Sequence, residues 1–141
     1  MRSLITALAF LFITGQASSQ ETTDERWAFI GQSKEKEKYY IDIKTQYSTD
    51  DVFGNKEVWI KCVTPVKKLK KNGKTITYYN AVTLTLHEIN CSNSEMRVKQ
   101  EVIYDSKGKL LDSWENEFSS PKKVVPGSLG EMIMEESCKI H

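Results

Sequence analysis

Apolar residues fall on alternate positions through most of this chain, and a period of two marks half-buried strands. Trp27 to Gly31 is a short aromatic run stopped by glycine. After a charged turn, Tyr39, Ile41 and Ile43 share a face opposite Tyr40 and Asp42. A turn-rich stretch, STDDVFGN, precedes Val58, Ile60 and Cys62, which oppose Trp59 and Lys61. Asn72-Gly73 is a strong hairpin signal, because both residues accept the positive φ of a type I′ turn. The returning strand sets Val82, Leu84 and Leu86 against Thr83, Thr85 and His87. The next one places Met96, Val98, Val102 and Tyr104 on one side with Gln100 as a polar interruption. A turn at 105–108 leads to a last strand around Leu110 to Trp114.

The period changes only near the C-terminus. Pro126 and Gly127 break the chain, Ser128 is placed to cap, and Glu131 three residues on completes a capping box. Leu129, Met132 and Ile133 then fall on one face at helical spacing, with Met134 off that stripe. The connections between strands are short and rich in turn residues, whereas parallel strands need long crossovers. The expected architecture is α+β: an antiparallel β-sheet of about six strands, solvated on one face and covered on the other by the C-terminal helix.

The first residues change the picture of where the chain works. Arg2, an apolar run from Leu4 to Ile13 and the small residues Ala17-Ser18-Ser19 are the three parts of a secretory signal peptide. The run is about half the length a membrane span requires. Residues 1–19 are therefore expected to be removed, leaving a polar leader at 20–26 and one domain at 27–141. No cysteine follows the apolar run to carry a lipid. Without Arg2 the chain has 19 basic and 19 acidic side chains, which argues against bulk electrostatic binding to nucleic acid.

Export bears on the three cysteines, since thiols outside the cytoplasm tend to pair. Cys62 lies in mid-strand among apolar residues and reads as a core residue. Cys91 ends a strand in a polar turn, and Cys138 lies about one turn beyond the apolar stripe of the helix, so a Cys91–Cys138 bridge would tie the terminal helix to the sheet.

Enzymatic constellations are hard to write. His87 and His141 are the two histidines, and the sequence holds no zinc-cluster spacing, nucleophile elbow, phosphate-cradling glycine loop or other cofactor pattern. Cys62 with His87 is the one nucleophile–base pairing to consider, and Asp50-Asp51 the one cation candidate; packing and a solvated turn explain them as well. Lys67, Lys68, Lys70, Lys71 and Lys74 flank the Asn72-Gly73 turn, with Tyr78 and Tyr79 just beyond. This tip suits an anionic partner: heparin-like glycan, a lipid headgroup phosphate or an acidic protein surface. Lysines on an exposed strand also discourage pairing with other chains.

The ordered set Trp27…Ile30-Gly31, Tyr40-Ile41-Asp42, Val58-Trp59, Glu88-Ile89-Asn90-Cys91, Tyr104-Asp105…Gly108 and Pro126-Gly127-Ser128-Leu129-Gly130-Glu131 to Cys138 resembles the bacterial surface-adhesin protein E-like domain. The resemblance implies a small antiparallel sheet with a C-terminal helix stapled by Cys91–Cys138. It also implies export in a Gram-negative bacterium, to the periplasm, the outer surface or the medium, and adhesion to host matrix or plasma proteins. Cys62, the basic hairpin and the missing lipid-anchor cysteine depart from that pattern. The expected function is a non-enzymatic binding module without cofactor or metal; the competing one is a small periplasmic enzyme or redox protein using Cys62. The sequence leaves the oligomeric state open, a dimer included.

Overall fold

The computed structural model describes residues 25–44, 47–48 and 54–139. They form one antiparallel sheet and one helix. Six strands follow one another across the sheet in the order β1 (Trp27–Gln32), β2 (Lys38–Asp42), β4 (Asn55–Lys71), β5 (Lys74–Asn90), β6 (Glu95–Tyr104) and β7 (Leu110–Glu115). Two short strands attach to this path: β3 (Tyr47–Ser48) pairs with β4, and β8 (Lys122–Lys123) with β6. Helix α1 (Leu129–Lys139) lies against β1, β2 and β4. Asn72 and Gly73 both adopt positive φ, as the hairpin reading requires. The Asp105 carboxylate closes the last turn by accepting the backbone N–H of Lys107 and of Lys109.

Directly opposed residues of an antiparallel pair point to the same side of the sheet, so the register identifies the face under the helix. Ile41 pairs with Ile60 and Val58 with His87, while Ile89 pairs with Met96. Ile41, Val58, Ile60 and Ile89 form the core with Ile133 and Met134 of α1. On β5 the covered side is thus the one carrying Thr83, His87 and Ile89. Val82, Leu84 and Leu86 occupy the other side with Trp59. A register shift between Leu86 and His87 also splits the apolar set of β6. Met96 and Val98 oppose Ile89 and His87, whereas Val102 and Tyr104 oppose Leu84 and Val82 on the other face. The bulge inserts one residue, and every side chain beyond it changes side.

The helix begins as its sequence indicates. The Glu131 N–H donates to Ser128 Oγ at 3.3 Å, and the Glu131 carboxylate reaches back to the Gly127 N–H at 2.6 Å. Its buried stripe differs from the expected one: Ile133, Met134 and Ser137 are buried, and Leu129 is exposed. Ser137 enters the core because its hydroxyl donates to the Ile133 carbonyl at 2.7 Å, one turn back. Gly31 in β1 allows close approach, since a Cβ there would lie 2.7 Å from Sδ and Cε of Met132.

Cys138 falls in the last turn of α1 rather than past it, and it is bonded to Cys91 in the turn after β5. Cys62 is a free, half-buried thiol on the covered face, opposite Thr83. Asp42, expected on a polar face, is fully buried because Arg26 pairs with its carboxylate at 2.7 Å and the Lys44 N–H donates to it at 2.9 Å. Strand β2 stops there, leaving Ile43 exposed. Asp50, Asp51 and His141 lie outside the described residues.

Two measurements check this account of the helix. Cys138→Ser should lower unfolding free energy by roughly 4 kcal/mol, the chain-entropy value for a loop of this length. Ile133→Ala should cost about 3 kcal/mol, as truncations of buried isoleucine do, and Leu129→Ala under about 1 kcal/mol. Equal effects of the last two in urea melts would mean that the stripe read from the sequence is the packed one.

Candidate binding surface

The seven tip residues expected to bind all lie on the β4–β5 hairpin, and its construction decides what they can do. The two strands pair from Asn55↔Asn90 to Lys71↔Lys74, with one rung absent, where Pro65 faces Asn80. Proline has no N–H to give the ladder, and Asn80 adopts φ 51°. Strand β6 stops at the level of Val82, so among the described residues no third strand flanks residues 66–79. A straight ribbon would carry Lys71 roughly 27 Å beyond Val63, which faces Val82. Instead Lys71 Nζ donates to the Leu111 carbonyl of β7 at 2.6 Å, so the arm curls back over the end of the sheet.

Strand alternation divides the seven residues between the two faces of this arm. Lys67 opposes Tyr78 and Lys71 opposes Lys74 on one face, with Leu69 and Ile76 between them. Lys68 and Lys70 lie on the other, opposite Thr77 and Thr75, next to the rung of Val66 and Tyr79. All are exposed except Lys67, Leu69 and Tyr78, which are half-buried. The lysines thus lie on a ribbon that leaves the end of the paired strands and curls over it.

Acidic residues at the base of the hairpin complete the design, and the sequence reading missed them. Glu57 and Glu88 bracket a stretch, residues 58–87, that has six lysines and no aspartate or glutamate. Both are taken up by β6: Lys99 bonds Glu57 and lies 3.9 Å from Glu88, and Arg97 bonds Glu88 at 2.9 Å. The hydrogen bond to Glu57 is the main reason that the Lys99 ammonium holds its proton above the usual lysine range. The acid-free interval was the available signal. Lower on β4, within the sheet, Lys61 Nζ lies 4.8 Å from the ring centroids of both Trp27 and Tyr40.

The structure separates the candidate nucleophile from its base. Cys62 lies opposite Thr83 and His87 opposite Val58, four residues along the strands, which is roughly 13 Å. Burial pushes the Cys62 thiol up, and the nearby Glu37 carboxylate adds to that, although the contact with Thr64 Oγ1 opposes it. Tyr39, which donates to Glu37 at 2.6 Å, is likewise pushed above the ordinary phenol range, mainly by burial. An open cavity of about 440 Å³ lies between the β1–β2 turn and the start of α1, where Ser128 and Glu131 are occupied in capping the helix. Among the described residues no group of three or more His, Cys, Asp or Glu side chains could hold a metal ion, and no helix is long and apolar enough to cross a membrane.

The family profile of surface-adhesin protein E matches residues 27–139, so the chain belongs to that family. The match spans every described strand and the helix. No curated protein and no solved structure matches the chain significantly.

His87 supplies a test of the covered face. Burial lowers its pKa from 6.5 to about 4, and its Nδ1 has no hydrogen-bond partner among the described residues. Between those values the unfolded chain binds a proton that the folded one refuses. The stability is therefore complete above pH 6.5 and falls, by up to about 3 kcal/mol, as pH drops towards 4. His87→Asn should flatten that part of the stability curve in urea titrations at several pH values; an unchanged slope would mean that the imidazole is solvated.

Proposed function

We propose that this chain is an exported, non-enzymatic binding module of a Gram-negative bacterium that holds an anionic partner with the arm at residues 66–79. One observation carries the reading: the basic charge is concentrated on a two-stranded ribbon that runs beyond β6 and curls over the end of the sheet. Outside residues 66–79 the chain has 15 basic and 19 acidic side chains, so the body opposes the arm in sign. Lys67, Lys68, Lys70, Lys71 and Lys74 are the cations and Tyr78 and Tyr79 the flat contact surfaces. Membership of an adhesin family supports a role in attachment, with host matrix or plasma proteins among the partners. Residues 1–19 act as the signal peptide, and the Cys91–Cys138 disulfide suits an oxidising compartment. The redox reading through Cys62 is disfavoured by a thiol whose pKa is raised and a histidine too distant to serve as its base.

Replacing Lys68, Lys70 and Lys74 with glutamine should abolish retention on immobilised heparin at 0.1 M salt and leave the melting temperature within about 2 °C. The parent protein should elute well before 1 M salt, where the Debye length falls from about 10 Å to about 3 Å. Retention of the triple variant equal to the parent's would refute the assignment to the arm. N-terminal sequencing of exported protein should begin at Ser18 or Gln20.

A further inference from the structure

We propose that the anionic partner of the arm is a lipid surface, on which residues 66–79 dock as an amphipathic two-stranded ribbon. The inference rests on the binding role given to the arm above and names the partner's class. Lysines alone would suit a sulfated glycan or an acidic protein equally well. The apolar side chains set between them make the distinction. On one face the rung Leu69/Ile76 lies between Lys71/Lys74 at the tip and Lys67/Tyr78 towards the body. On the other, Val66/Tyr79 follows Lys70/Thr75 and Lys68/Thr77.

Three of these four apolar groups are open to solvent, Val66 at 51%, Ile76 at 40% and Tyr79 at 67%, and Leu69 is half-buried. A hydrated glycan offers them no apolar phase. The boundary between lipid headgroups and acyl chains accepts both kinds of group at once. Lysine stems lie along apolar surface while their ammonium groups reach the phosphates, and tyrosine, apolar in body and polar at its tip, suits the same depth.

The charge layout sets the orientation. Five lysines lie within residues 66–79, and the rest of the chain carries an excess of four acidic side chains, so a negative surface draws the arm and repels the body. The missing Pro65/Asn80 rung lets the arm adjust at the surface without disturbing the ladder on which the core rests. Lys71 gives one of its three ammonium donors to the Leu111 carbonyl, which leaves two for a phosphate.

The test uses the processed protein and co-sedimentation with vesicles of phosphatidylcholine alone or with 30% phosphatidylglycerol. The parent protein should bind the anionic vesicles at least tenfold better than the neutral ones. Lys68→Gln/Lys70→Gln/Lys74→Gln should lose that preference. Leu69→Ser/Ile76→Ser should lose at least fivefold in vesicle binding and keep its retention on heparin, because its lysines are intact. Undiminished vesicle binding by the Leu69→Ser/Ile76→Ser variant would overturn the proposal, and so would a parent that binds heparin but not anionic vesicles. The last result would leave the binding role of the arm standing with a soluble partner; a parent that binds neither would end both. The comparison of the two vesicle compositions needs no variant, so the proposal stays testable if a substitution prevents folding.

Discussion

The Cys91–Cys138 bridge holds an eleven-residue helix against the sheet, and the deepest burial in the domain depends on that contact. A helix of this length is marginal alone, because nucleation is unfavourable and few residues repay it. Here it is fixed at both ends, by reciprocal capping at Ser128 and Glu131 and by the disulfide in its last turn. Ile133 and Met134 are thereby pressed onto Ile41, Val58, Ile60 and Ile89 of β2, β4 and β5. The opposite face keeps Trp59, Leu84, Leu86 and Val102 half-buried by their neighbours alone.

Much of this frame was legible from local spacing. Ser128 and Glu131 announce the start of the helix, Asn72-Gly73 the hairpin, and the positions of Cys91 and Cys138 their bridge. The failures have particular causes. Met96, Val98, Val102 and Tyr104 occupy positions of the same parity, so alternation groups them, and only their pairing with β5 shows the bulge that parts them. Ser137 belongs to the core through a bond to its own helix, and Asp42 through Arg26 sixteen residues away; a hydropathy pattern registers neither. The lysines of the arm were plain in the sequence, but their division between two faces and the curl towards Leu111 arise from register and tertiary contact.

Electrostatics divide the molecule much as packing does. Glu57 and Glu88, which bracket the acid-free stretch in the sequence, pair with Lys99 and Arg97. These half-buried pairs hold β4, β5 and β6 together at the base of the hairpin.

The absent rung at Pro65 and Asn80 also bears on how such a protein evolves. A ladder carries strain from rung to rung, and a gap isolates the two sides. Residues beyond it take no part in the packing beneath α1, so changes of charge, length or aromatic content there leave the core untouched. The arm is therefore free to vary in ways that the stapled body, under the demand of folding, is not.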